Sequence, residues 1–564
     1  MLSTTTTVIE LPIWQSALLI LPVVAALGGA ATSRRASTTT AAWKLARAAT
    51  IAMLLAAVAA AVVRAAGTDR ANTWLRSDTV GVTMLVLVSF VGWVIVRYSE
   101  AYLSGDPQER RYIGRLLATL ATVVVVVVAN HLVLLMLAWT ATSLVLHGLL
   151  TFYRDRRVAV GVAHKKFILA RCADLCMLGA VVAFGTTLHT LRIDEIATHA
   201  SAGGALPLGA RVGIALVALA ALLKCAQLPF HGWLIQVMEA PTPVSALLHA
   251  GVVNLGGFVL LRFAPVVDRA VETRVLLVGV GTMTAVVAAL VMTTRISVKV
   301  ALAWSTCAQM GFMLMQCGLG VWEMALLHLV AHSLYKAHAF LGAGGVVRQT
   351  QRRQLIAKSA TPNVAAITAG LALAVAGTLA AGWVWGRLPS GDQPSAAIWV
   401  LGGIVAAALV PLVSVSNVRS RWRVGPALIG STIAVPLTYF GLHALFAHLV
   451  PHGSTPPAAL LVGVAAGFAL LFVVQVLCVV SPAARYMRQL YPWIYGGLFL
   501  DEAFTRWAFA LWPPPAPHAP MPMLPVRTSP PLSIPRSPSG RRISSAMCAP
   551  SHAVTPSGLE GSPA

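Results

Sequence analysis

The sequence predicts an all-α polytopic membrane protein of about 13–16 transmembrane helices, a count set by three observations. Of its 564 residues, 57% are hydrophobic and only 10% charged, whereas soluble chains carry roughly a quarter charged residues. Apolar runs of about 20 residues, the length that crosses a hydrocarbon core of roughly 30 Å, recur along nearly the whole chain. Basic residues gather in alternate loops between these runs, the asymmetry that orients membrane proteins.

In chain order, spans are expected near 11–31, 43–66, 79–97, 113–129, 131–152, 166–187, 209–228, 243–263, 275–293, 298–319, 323–346, 361–385, 396–417, 425–448 and 457–480, with a further aromatic, apolar segment at 490–511. The first lacks a basic stretch before it and is followed by Arg34 and Arg35, which fits a retained helix better than a cleaved signal peptide. With the N-terminus outside, the inside loops hold Arg110, Arg111 and Arg115, then Arg154, Arg156, Arg157, Lys165 and Lys166, then Arg348, Arg352, Arg353 and Lys358. The outside loops hold fewer. This alternation accounts for the net charge of +23, and no basic patch with interleaved aromatics suggests nucleic acid as a partner. Membrane lipid is the expected surroundings. Residues 1–512 form the membrane domain, with its core at 80–350. Residues 513–564 are rich in Pro, Ser and Ala and are expected as a disordered cytoplasmic tail.

Charges inside the spans carry the chemistry, because an ionisable group at mid-bilayer costs roughly 2.5–3.5 kcal/mol on insertion scales and normally faces a partner or a water-filled path. Lys224 lies deep in an apolar run that Pro229 interrupts. Met238-Glu-Ala-Pro-Thr-Pro-Val-Ser-Ala-Leu-Leu-His249 repeats the pattern, a Pro-rich break followed by a helix with a histidine. Broken helices are expected near 229–243 and again in the second half. Such breaks are tolerated where protein or water satisfies the freed backbone groups. A lysine beside one is placed to exchange protons, since desolvation disfavours its charged form.

His328, His332 and Lys336 recur at i, i+4 and i+8 and so share one helix face over about 12 Å. Titratable groups in a row hand a proton along through intervening waters; His338 points elsewhere. Arg171 and Asp174, three residues apart, are either an internal ion pair or a pair that tunes Lys224 from a neighbouring helix. The seven cysteines form no CxxC pair, so no zinc or iron–sulfur site is implied. With no phosphate loop or nucleophile elbow either, no catalytic site and no cofactor are expected.

Lys224-Cys-Ala-Gln together with 238–249 resembles the central signature of the antiporter-like proton-translocating subunits, which include the L subunit of respiratory complex I and the large Mrp antiporter subunit. Lys299-Val-Ala-Leu-Ala-Trp-Ser-Thr-Cys-Ala-Gln is similar to the start of their tenth helix. The row His328, His332, Lys336 is similar to their central path, and Arg171 and Asp174 also match. The resemblance implies ion translocation by Lys224, His249, His328, His332 and Lys336, supported by Arg171, Asp174, Glu239 and Lys299. A weaker echo lies at 498–506.

Two departures stand out. Where the L subunits place a glutamate in the fifth helix, this chain has Thr140, and 361–385 holds no lysine. The long amphipathic lateral helix of those subunits is also missing. Phe230–Asn254 and Ser333–Phe340 most resemble the DabB-type membrane subunits of two-component inorganic-carbon accumulation systems. That resemblance implies a DabA-like zinc-containing cytoplasmic partner related to β-carbonic anhydrases. In such a system the membrane subunit passes cations down their gradient and drives CO2 conversion to bicarbonate in the partner. The alternative is an L-like subunit of a respiratory or Mrp complex. H⁺ is favoured over Na⁺, because the spans hold no cluster of carboxylates. The expected location is the bacterial inner membrane, with the N-terminus periplasmic.

Overall fold

Apolar runs separated by Pro, Gly and basic residues become helices. The computed structural model describes residues 9–153, 157–346, 364–387, 394–414, 421–450, 453–481 and 484–513. The expected tail beyond residue 513 lies outside the described residues, as do the basic positions 348–358.

The first helices are α1 (Ile13–Arg35), α2 (Thr39–Ala65), α3 (Thr79–Tyr102), α4 (Glu109–Val128), α5 (Leu132–Leu150) and α6 (Arg157–Leu188). Side-chain caps fix three of their starts: the Thr38 hydroxyl accepts from the Ala41 N–H, Asp78 from the Gly81 N–H and His131 Nδ1 from the Val133 N–H, satisfying donors that lack an intrahelical partner. The short α7 (Ile193–Ser201) leads to α8 (Leu208–Lys224), α9 (Gly232–Gln236), α10 (Thr242–Ala250), α11 (Leu255–Arg262) and α12 (Ala264–Arg269). Next come α13 (Val271–Met292), α14 (Val298–Leu319) and α15 (Trp322–Leu341). The remainder is α16 (Val364–Trp385), α17 (Ala396–Ser414), α18 (Arg421–Ala447), α19 (Ala458–Val480), α20 (Arg485–Tyr495) and α21 (Leu500–Leu511).

Among the described residues, twelve helical segments are long and apolar enough to cross a membrane, α10 and α11 counting together as one. Helices α8, α15 and α17 stand at the three other predicted spans. They fall short of that standard for different reasons. Helix α8 stops after 17 residues, α15 carries Glu323, three histidines and Lys336, and the apolar stretch of α17 is Ala396–Pro411. The chain is therefore a multi-pass membrane protein.

The all-α expectation omits one small feature. Strand β1 (Ile9–Glu10) pairs in parallel with β2 (Arg70–Ala71), which pairs antiparallel with β3 (Arg76–Ser77). Asn130 extends this cap: its amide donates to the Asn72 carbonyl and to Asp194 at 2.7 and 2.8 Å. The buried guanidinium of Arg262, at the end of α11, pairs with Asp78 at 3.1 Å and donates to the Val127 carbonyl. Arg262 is thus a buried tie between helix ends.

Two breaks shape the interior. Helix α8 ends at Lys224 because Ala226 is left-handed (φ 51°) and Pro229 has no N–H to continue the ladder. The freed groups are satisfied locally: Gln227 donates to the Cys225 carbonyl at 2.8 Å, and the Leu228 N–H donates to Thr284 Oγ1 at 3.2 Å. Between α10 and α11 a single 3₁₀ turn intervenes, bridged by Asn254 Nδ2 to the Ala250 carbonyl at 3.0 Å. In the second half, the interruption falls between α20 and α21, where Leu498 and Phe499 are left-handed (φ 57° and 56°). Helices α13 and α14 cross at glycines: a Cβ on Gly281 or Gly311 would lie 2.6–2.7 Å from the other's carbonyl oxygen. Small residues allow this close approach of membrane helices.

Candidate ion-translocation site

The buried ionisable residues fall into two groups around the broken α10–α11 segment. Lys224, the last residue of α8, is buried with its Nζ 4.3 Å from the centroid of the Trp139 ring on α5, a cation–π contact that offsets part of its desolvation. The Trp139 carbonyl lies 3.5 Å away. On α6, Asp174 is held by Arg171 at 2.7 Å. Of the two alternatives for Arg171 and Asp174, the internal ion pair is present, and no ion pair joins Asp174 to Lys224 among the described residues.

Lys165 and Lys166 require a correction. The sequence places them in an inside loop beside Arg154, Arg156 and Arg157, but α6 begins at Arg157 and both lysines lie inside it, buried. Lys166 donates to Ser143 Oγ at 2.8 Å and to the Ser143 carbonyl at 2.9 Å. It lines a cavity of about 10 Å³ with Lys224, Trp233 and Val252. Val252 also lines a second cavity of that size with Ala250, Gly251 and Ser333. Each has room for one water.

The second group is built on α10, α14 and α15. His328 Nδ1 lies 3.2 Å from Gln316 Oε1, and the His328 and His332 rings are 6.0 Å apart. His332 Nε2 lies 3.3 Å from the His249 carbonyl. Lys336, fully buried, donates to Ser305 Oγ at 2.6 Å. The predicted row thus exists, and its partners come from α14 and α10. His249 is fully buried and stacked on Phe340 with centroids 4.4 Å apart. Neither of its ring nitrogens has a hydrogen-bond partner among the described residues. Asn254 Nδ2 donates to Ser333 Oγ at 2.6 Å, tying the broken segment to α15.

Lys299 is peripheral, donating to Thr242 Oγ1 at 2.9 Å where α14 and α10 begin. Glu239 ends a 3₁₀ turn before α10; its side chain lies outside the described residues. His338 is exposed. Sequence reasoning missed Gln316, Ser305, Ser143 and Lys166. Gln316 is detectable as a polar side chain in an apolar span, whereas the serines are indistinguishable from packing residues.

The NADH:quinone oxidoreductase/Mrp antiporter transmembrane family matches residues 129–381, and the N-terminal family of complex I chain 5 matches residues 65–113. A probable inorganic carbon transporter subunit, DabB2 of Halothiobacillus neapolitanus, is 38% identical over 472 residues, covering 82% of this chain and 83% of the relative. The chain belongs to the DabB family. DabB of Hydrogenovibrio crunogenus is 51% identical over 52% of this chain, and that match spans 56% of the relative's length. Subunit L of the NADH-quinone oxidoreductase of Mycobacterium tuberculosis is 32% identical over 67% of this chain and 59% of its own. In fold, the chain is similar to the Mrp complex from Dietzia sp. DQ12-45-1b, with TM-score 0.61 and 24% identity over 88% of this chain and 59% of that one.

Proposed function

We propose that this chain conducts protons across the bacterial inner membrane as the membrane subunit of a two-component inorganic-carbon accumulation system. In this reading the proton gradient drives CO2 hydration in a zinc-containing, DabA-like cytoplasmic partner. The observation that carries it is the pair of buried basic groups on either side of the broken α10–α11 segment. Protons enter from the periplasmic side, pass His328, His332 and Lys336, then the His249 and Lys224 region, and leave towards the partner. The N-terminus lies in the periplasm and the tail in the cytoplasm. The chain contributes no catalytic site of its own; the bond-making chemistry belongs to the partner.

The His row suits protons because its contacts are imidazole, amide, hydroxyl and carbonyl groups, which accept and release hydrogen bonds as a proton passes. A sodium site calls instead for several hard oxygen ligands converging on one point. The identity to complex I subunit L supports a second reading, a proton-translocating subunit of a respiratory complex. Thr140 counts against it, since it removes the carboxylate those subunits set beside the first lysine.

The test is growth in ordinary air of a bacterium lacking its carbonic anhydrases, carrying this gene and its neighbouring candidate partner gene. Rescue that needs both genes and fails with Lys224→Ala or with an uncoupler supports the proposal. Absence of rescue with both proteins in the membrane fraction moves the assignment to the respiratory reading.

A further inference from the structure

One buried charge pair has no part in the path so far. Lys165 on α6 has no exposed side-chain surface, and its Nζ lies 3.1 and 3.3 Å from the two carboxylate oxygens of Asp501 on α21. Thr505, one turn further along α21, accepts from the same ammonium at 2.8 Å. Gln236, at the end of α9, donates to Asp501 Oδ2 at 2.8 Å. The carboxylate presses so closely on α9 that a Cβ at Gly232 would fall 1.5 Å from Asp501 Oδ1. Only glycine fits there, because any side chain would displace the acid.

This cluster adjoins the Lys224 cavity at one end and the protein surface at the other. Helix α9 follows directly on the Lys224 break, and Trp233 in α9 lines the cavity that holds Lys224 and Lys166. Buried His231 precedes Gly232 at the head of α9. The adjacent lysines of α6 divide between two surroundings: Lys166 turns to the Lys224 cavity, and Lys165 to Asp501. Asp501 itself keeps 22% of its side chain exposed. It is the point at which the buried network reaches the protein surface.

We propose that Asp501 is the exit carboxylate, passing protons between the lysine cluster and the inner aqueous face. The proton leaves Lys165 Nζ as its N–H bond breaks and an O–H bond forms on Asp501, turning an ammonium–carboxylate pair into amine and carboxylic acid. The acid then releases the proton to water, and the amine is reprotonated from the Lys224 side. Charge and atoms balance with no further reactant. The break before α21 serves this step, because it turns the helix so that its first turn delivers the carboxylate inwards.

The inference rests on the proton-conducting reading, and one experiment separates them. Full-length chain in liposomes with a pH-sensitive dye inside is given a potassium–valinomycin potential, negative inside. Wild type should acidify the lumen, Asp501→Asn should slow this at least about tenfold, and Asp501→Glu should restore it. Thermal stability should match wild type in Asp501→Glu and fall in Asp501→Asn, which leaves the buried Lys165 without its counter-ion. A wild-type rate with Asp501→Asn overturns the assignment while conduction stands. Slowing that Asp501→Glu fails to rescue although its stability matches wild type makes Asp501 a brace and overturns it too. A wild-type chain that carries no protons overturns the conduction reading, and this inference with it.

Discussion

The two buried groups solve the cost of charge in a membrane differently. Around Lys224 the protein supplies the aromatic face of Trp139 and, on neighbouring α6, the Arg171–Asp174 ion pair, whose carboxylate favours the ammonium while its guanidinium opposes it. Around Lys336 it supplies the Ser305 hydroxyl, the Leu302 carbonyl and the Tyr335 ring 5.2 Å away, with Gln316 further along the row at His328. Among the described residues no carboxylate pairs with Lys336. A buried charge with an opposite partner is tolerable at rest, whereas one with only dipoles is expensive. The Lys224 site can therefore hold a standing charge. The Lys336 site suits a charge that comes and goes.

Arginine substitutions break or sharpen this contrast most, because arginine stays protonated in proteins. Lys336→Arg should cut proton flux about a hundredfold or more, since a permanent charge there has no counter-ion. Lys224→Arg should retain about a tenth of wild-type flux, because Asp174 still balances it. Equal losses at the two positions, measured in liposomes, would erase the distinction.

A smaller effect is expected from the dipoles. Gln316→Leu removes the partner of His328 Nδ1. Losing one neutral hydrogen bond is worth about 1 kcal/mol, so flux should fall by about tenfold or less. Folded protein recovered from the membrane should be unchanged, and a complete loss of flux would mean that Gln316 does more than orient the ring.

The smallest effect concerns the Trp322 end of the helix that carries the second group. Burial pushes the Asp268 carboxyl up to about 6, although hydrogen bonds from Trp322, the charge of Arg274 and the Ser454 N–H act in the opposite direction. Trp322 begins α15, so this contact anchors the helix that carries the His row. With the folded pKa above the unfolded one, the group's stabilising contribution is complete below pH 4 and is lost as pH rises through about 6. Melting temperature should therefore decline from pH 4.5 to pH 7 by an amount corresponding to about 2 kcal/mol or less. Asp268→Asn should remove that component.

Much of this was legible in the sequence, for a physical reason. A bilayer accepts only long apolar helices, so span positions follow from composition alone. Residues 224–231 announced a break through Pro229, although the helix stops five residues earlier because Ala226 turns left-handed. The His328–His332–Lys336 row was visible as helical spacing. Lys165 and Lys166 were not, because basic residues near a span end look alike whether they anchor a loop or turn inwards. Asp501 pairs with a residue 336 positions away, and no local pattern encodes such a partner. The hydroxyls of Ser143 and Ser305 become informative only once a neighbouring helix brings a lysine to them.

The most direct test of the account is proton flux through the chain itself. Full-length protein in liposomes under an imposed potential should acidify the lumen at the same rate with and without sodium, and Lys224→Ala and Lys336→Ala should each abolish that flux while inserting normally. Flux that needs sodium, or that persists at the wild-type rate in either variant, would contradict a proton path running through these two lysines.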